Sequence, residues 1–349
     1  MAYDVRRTDS SSGTGNLLVD LWKRNLQMRG NPRDKFDWYY RSNPVGPADA
    51  FLLDHVDGGT STVVGCCGIG RRQMFIDGTP IVAGLFADFA VDKEHRTTLP
   101  ALKLQRALCD YGLTHYPLTY GFPNEAAVGL FGRIGFPVIG RMSRYVRVLR
   151  FSPYLQKRAP QPLARLAAMP LDTASLVYHG ARLTRRRQAL AWIADVDDRF
   201  DELAADVRTR YRLLGDRSKA FLRWKYVTRP NAGAAIATLV DGDRLEAYAV
   251  VVNKEPGVAM IADFLGRSPE ATGDLFIRLA SALRRRGFAS AATVFLGDAA
   301  IAAALARAGY SLRGPGKFVV AAAGRESAID ATATQEPGGL YFTDADRDN

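Results

Sequence analysis

The sequence predicts a mixed α/β protein built from two copies of one unit. Three observations carry that reading. Short apolar runs bounded by turn residues alternate with segments of helical period. A strand, a polar turn and a helix start follow one another across residues 84–101. After a stretch at 151–185 punctuated by Pro153, Pro160, Pro162 and Pro170, the pattern begins again. Arg223-Trp224-Lys225-Tyr226 echoes Asp37-Trp38-Tyr39-Tyr40, and a proline lies six residues beyond each tryptophan, at Pro230 and Pro44. Ala262-Asp263-Phe264 matches Ala87-Asp88-Phe89. Gly135-Phe136 starts 47 residues after Asp88, and Gly309-Tyr310 starts 46 after Asp263. Four pairs in one order with matched spacing indicate duplication. The Trp-to-Asp distance is 50 residues in the first copy and 39 in the second, as one missing hairpin would give.

In chain order, residues 1–15 are rich in Ser and Gly and are expected to be disordered. The first unit, 16–150, opens with a helical period from Leu17 to Gln27. Asn43-Pro44 marks a turn. Phe51–Val56 and Val63–Ile69 read as strands about an Asp57-Gly58-Gly59 turn, and Arg71–Phe75 and Ile81–Val91 as two more about Asp77-Gly78. Pro100–Leu113 is helical, Leu118–Phe122 a short strand, and Asn124–Ile134 a helix ended by Gly135. Met142–Leu149 is a strand alternating with arginines. Residues 151–185 read as a linker with short amphipathic helices, 186–322 as the second unit, and 323–349 as a disordered acidic tail.

The net charge is +11, and the last 26 residues carry −4 of it, leaving +15 on the body. Such a field suits anionic partners, whether phosphorylated cofactors, nucleic acid or a membrane surface. An arginine-rich soluble protein would carry it equally. The bases are spread out and aromatic residues do not interleave with them, unlike a nucleic-acid stacking platform. Three cysteines (Cys66, Cys67, Cys109) and four scattered histidines make neither a disulfide framework nor a zinc or other metal site. A reducing cytoplasm is the expected home. The N-terminus has no signal-peptide core, and no run of eighteen apolar residues spans a membrane.

The strand–turn–helix at 84–101 is where chemistry can sit. Such a junction presents free backbone N–H groups at the positive end of a helix dipole. Thr97 or Thr98 can cap the helix, and Pro100 suits its first turn. Arg96 adds a charged donor. The segment reads either as an anion site or as a capped surface helix without a ligand.

Ala90-Val91-Asp92-Lys93-Glu94-His95-Arg96, running into Thr97-Thr98-Leu99-Pro100-Ala101, resembles the pyrophosphate-binding motif of the Gcn5-related N-acetyltransferase superfamily. It departs at Leu99, where the family usually has glycine. Asn124-Glu125-Ala126-Ala127-Val128-Gly129-Leu130-Phe131-Gly132-Arg133-Ile134-Gly135-Phe136 resembles the family's next motif at every position but Phe131, where a tyrosine that protonates the departing thiolate is common. The resemblance implies two tandem acetyltransferase-like domains, each a mixed, splayed sheet flanked by helices. The first would bind acetyl-CoA or another acyl-CoA through Phe89, Ala90, Val91, Arg96, Thr97, Thr98, Leu99, Ala101, Asn124 and Phe131, with no metal. The acyl group would pass to an amine of a small molecule, sugar or cell-envelope precursor.

Strand alternation sets Asp88 and Ala90 on one face and Phe89 and Val91 on the other. Asp88 is a candidate general base, yet Asp263 holds the matching place in the second copy, which suggests a fold-level role instead. Phe131 has no hydroxyl, so the acid would be Tyr120, Tyr145 or solvent. Cys66 and Cys67 read as buried packing. The second copy reaches its helix without the arginine turn and carries Glu270 there, so it is expected to complete the acceptor cleft rather than hold the cofactor. The same tandem arrangement also resembles transferases that take an amino acid from aminoacyl-tRNA, which the charge suits, and non-catalytic binding relics.

Overall fold

The computed structural model describes residues 2–8, 12–28, 30–155, 187–327, 329 and 337–348, together with 163, 169–170, 172–174, 177–178 and 181. The leading half contributes strands β1 (Ala2–Thr8), β2 (Asp49–Asp57), β3 (Thr60–Ile76), β4 (Thr79–Val91), β5 (Leu118–Gly121) and β6 (Val138–Val148). The trailing half contributes β7 (Ala189–Ile193), β8 (Leu213–Gly215), β9 (Ala234–Asp241), β10 (Arg244–Glu255), β11 (Val258–Gly266), β12 (Ser290–Gly297) and β13 (Ser311–Ala323), and the tail adds β14 (Leu340–Phe342). The helices are α1 (Ser12–Asn25), α2 (Pro32–Lys35), α3 (Thr98–His115), α4 (Glu125–Arg133), α5 (Ser152–Leu155), α6 (Arg199–Val207), α7 (Lys219–Leu222), α8 (Pro269–Arg285) and α9 (Ala299–Arg307).

The strands form one sheet in the order β1-β2-β3-β4-β5-β13-β6-β12-β11-β10-β9-β7. Read from either edge the order is the same, because each half's last strand lies in the other's sheet. β13 pairs with β5, β6 pairs with β12, and the two exchanged strands pair antiparallel at the centre. The sheet thus does not divide at the expected boundaries, 150 and 186.

The Trp motifs form the pseudo-twofold centre. Phe36–Arg41 and Arg223–Val227 both wind as single π-helical turns. The Trp38 and Trp224 rings stack with centroids 4.6 Å apart. Each indole N–H donates to the other's backbone carbonyl, at 3.0 and 3.3 Å. A buried aromatic pair of this kind adds about 0.5–1.5 kcal/mol beyond its area burial. Around it one apolar core joins both halves, with Trp22 and Leu21 of α1 and Leu275, Phe276 and Leu279 of α8 buried against the sheet.

Three expectations are corrected. The N-terminus is not disordered: β1 pairs with β2 from Ala2↔Val56 to Thr8↔Ala50, using backbone groups that need no apolar side chains. It mirrors β7 on β9 at the opposite edge. No hairpin is missing from the second copy. β3 is one strand through Ile76 rather than two, so the extra length in the first copy is a longer β3–β4 arm turning at Asp77-Gly78, both at positive φ. The tail is folded at 337–348, where its carboxylates meet buried arginines. Most of the linker 151–185 lies outside the described residues, although Asp172 accepts from Phe151 N and pairs with Arg284.

Candidate active site

β4 and β5 run parallel but pair only at Gly84↔Thr119 and Leu85↔Tyr120, then part. Beyond that point β4 bulges: the register against β3 slips between Cys66 and Gly68, so that Asp88 and Phe89 together oppose the single Cys67. Asp88 takes a left-handed φ of 51°, a conformation that is strained for aspartate. Both faces of the sheet are covered here, with Ala90 in the core around Tyr40 and Val91 in that around Leu104. Ala90 and Val91 are both buried, and Phe89 is 38% exposed in the opening.

The side chain of Asp88 turns inward and is 4% exposed. Lys35 Nζ lies 2.5 Å from one carboxylate oxygen, and the Tyr40 hydroxyl donates to the other at 3.1 Å. Both donors come from one segment. Asn31 caps α2 by accepting from Arg33 N, Pro32 opens the helix, and the π turn that follows carries Tyr40 beneath the sheet. Gly68 on β3 makes room, since a Cβ there would lie 2.1 Å from the Tyr40 hydroxyl oxygen. Burial raises the Asp88 carboxyl above its ordinary pKa, against the pull of Lys35. Burial opposes the Lys35 charge, yet Asp88 and Asp348 hold its pKa above the usual lysine value.

The outer edge of the opening is the turn between β4 and α3. Thr97 occupies the N-cap position with no side-chain cap hydrogen bond, Thr98 is already helical, and no acidic residue lies in the first turn. The first-turn N–H groups of α3 are therefore presented without a side-chain acceptor. Arg96 Nε donates to Val91 O at 2.8 Å and its Nη2 to Asn25 Oδ1 at 2.9 Å, which fixes the guanidinium at the strand end. Arg24 and Asn25 in turn hold Asp92. Leu99 is 68% exposed and leaves the turn open, and Ala101 is half-buried.

The other expected residues are dispersed. Asn124 caps α4 by accepting from Ala127 N at 2.9 Å. Phe131 is buried against Phe86 and Phe136. Tyr120 is fully buried, and its hydroxyl donates to Asp346 O at 3.1 Å. Tyr145 pairs with Thr293 and Leu312 on β6, three strands from β4. Burial pushes the Cys66 and Cys67 thiols up, so both stay protonated packing.

The trailing half repeats this geometry and fills it. β11 and β12 pair parallel from Val258↔Ser290 to Ile261↔Thr293 and then part. β14 enters that gap, pairing with β12 at Leu296↔Phe342 and Gly297↔Tyr341, while the Tyr341 hydroxyl donates to Phe264 O at 2.6 Å. Asp263 accepts from Arg217 Nε (3.0 Å), Tyr248 Oη (2.7 Å) and Thr343 Oγ1 (2.6 Å), all buried. The N-terminus of α8 is capped by Ser268, which accepts from Ala271 N. In this half the chain's own tail lies where the strands part.

The sequence reading missed Lys35, Tyr40, Arg217 and the tail. The Trp motif pointed to two of them: Tyr40 lies inside it and Lys35 two residues before it. Among the described residues no group of three or more His, Cys, Asp or Glu side chains is placed to hold a metal, and no helix is long and apolar enough to cross a membrane.

No protein-family model and no curated relative matches the chain. Solved structures do. A GCN5-related N-acetyltransferase from Anabaena variabilis superposes with a TM-score of 0.63 at 13% identity, over 91% of this chain and 72% of that one. A probable N-acyltransferase from Enterococcus faecalis gives 0.64 at 11% identity, over 93% and 73%. A tandem GNAT protein from the clavulanic acid biosynthesis pathway gives 0.52 at 13% identity, over 92% and 98%. The fold is therefore that of GCN5-related N-acetyltransferases, one of these neighbours being a tandem GNAT protein.

Proposed function

We propose that the leading half binds an acyl-CoA, acetyl-CoA in the first instance, and transfers the acyl group to the amine of a small molecule. One contrast supports this above all: of two equivalent openings, the trailing one is filled by the tail and the leading one is left open beside an uncapped helix start and Arg96. The diphosphate would lie on the first-turn N–H groups of α3 with Arg96 beside it. The donor arm would run along Phe89–Val91 as an added strand. The amine attacks the thioester carbonyl, the C–N bond forms, and the C–S bond breaks. The amine's proton is lost to water and the thiolate gains one from water. Catalysis comes from positioning and from strand N–H groups facing the carbonyl oxygen.

Asp88 acts in this reading as a positioning residue. Both its oxygens are engaged, and Asp263 keeps the same pattern in a half with no open site. It holds the bulge that turns Phe89 into the opening.

Calorimetry with acetyl-CoA tests the proposal. Binding that Arg96→Glu weakens at least tenfold, with an unchanged melting temperature, is the expected result. No acetyl-CoA binding together with salt-sensitive tRNA binding would replace the donor with aminoacyl-tRNA. Silence in both assays would leave a non-catalytic binding protein.

A further inference from the structure

Between the halves lies a cavity of about 220 Å³, with Lys35 and Trp38 on one wall, Lys225, Arg229 and Asn253 on the other, and Asp344 of the tail at its base. It is smaller than the roughly 300–1,000 Å³ of pockets for drug-sized ligands, and so suits something the size of an amino acid. Two of its cations, Arg229 and Lys225, make no direct ion pair among the described residues, although the Asp344 and Asp348 carboxylates lie near enough to act on both. The Arg229 guanidinium stacks 4.4 Å above the Trp38 ring and hydrogen-bonds to none of the described residues. The Lys225 ammonium, 5.3 Å from the same ring, spends one N–H on Arg347 O at 2.6 Å. The other charges nearby have direct partners of their own. Lys35 pairs with Asp88 and Asp348, Asp344 pairs with Arg347, and Asp34 accepts from Asn31.

Two like charges held together in a water-poor cleft repel, and a bridging anion relieves both. Burial, followed by the nearness of Arg229, pushes the Lys225 ammonium well below its ordinary pKa, as such a pair requires. A guanidinium seated over an indole keeps its planar N–H fork, which can hold a carboxylate bidentately. Asp34 and Asp344 share the wall, so a singly charged carboxylate fits better than a dianionic phosphate.

We infer that this cavity binds the carboxylate of a small acceptor, through Arg229 and Lys225, so that the acceptor is an amino-acid-like molecule carrying both amine and carboxylate. The word acceptor rests on the acyl-transfer reading; the carboxylate site does not.

Saturation-transfer NMR on the full chain tests it with glycine, β-alanine, γ-aminobutyrate and glutamate, each beside its carboxamide, and with inorganic phosphate. At least one free acid should bind tenfold or more tighter than its carboxamide and than phosphate. Arg229→Gln should erase that preference. Arg229→Lys, which keeps the charge but loses the fork, should reduce it at least threefold and serves if the first variant fails to fold. No preference for any acid, a preference that survives in the folded variants, or tighter binding of phosphate would overturn the inference. The readout contains no CoA. Acetyl-CoA binding without a carboxylate preference therefore sinks this inference alone, and the reverse pattern sinks acyl transfer alone.

Discussion

The two openings of the sheet share parted parallel strands and a buried aspartate, and differ in what fills them. In the leading half a lysine and a tyrosine answer Asp88 and the gap beside Phe89 faces solvent. In the trailing half an arginine shared with Asp346 answers Asp263, and a three-residue strand closes the gap. The aspartate is therefore part of the scaffold in both, and what separates a candidate site from a sealed joint is the segment lying beside it.

The largest effect should come from the sealed side. Arg217→Met leaves Asp263 and Asp346 buried without their shared guanidinium, and about 3–5 kcal/mol of stability should be lost in urea unfolding. Lys35→Met removes a partly exposed ammonium from buried Asp88 but leaves Tyr40 donating to it, and should cost about 1–3 kcal/mol. Equal losses would break the distinction between the two sides. Next, Thr97→Asp supplies the missing cap to α3, so the melting temperature should rise by the equivalent of about 0.5–1 kcal/mol. Acetyl-CoA affinity should meanwhile fall about tenfold, because the aspartate takes the N–H groups meant for the diphosphate. A fourth change, Tyr341→Phe, removes the hydroxyl on Phe264 O and should cost about 1 kcal/mol, seen as faster proteolysis after residue 330.

The smallest effect is on pH. Burial alone would raise Asp346, but Arg217 holds its carboxyl below the usual range, so its contribution is present above about pH 4 and is lost as pH falls further. Burial raises Asp263 and opposes part of this. Below pH 4 the tail should loosen before the leading half does, which amide hydrogen exchange resolves.

The duplication, the strand–turn–helix and most elements were legible, because periodicity and spacing survive in a linear string. Trp38 and Trp224 were matched by sequence alone, though not their stacking. The exchange of β6 and β13 was hidden, since a strand shows the same apolar face whichever sheet receives it. The Lys35–Asp88 pair spans 53 residues with no local signal. The tail was misread because acidic composition resembles disorder until its partners are known, and Arg217 lies 129 residues from Asp346. The N-terminal strand was misread because edge pairing uses main-chain groups, to which composition is blind.

Because each half's final strand is woven into the other, hydrolysis of the peptide chain between residues 156 and 186 should not free two particles. The nicked halves should migrate together on a sizing column and part only in denaturant. Any ancestor with unfused copies would have had to live as an interlocked dimer.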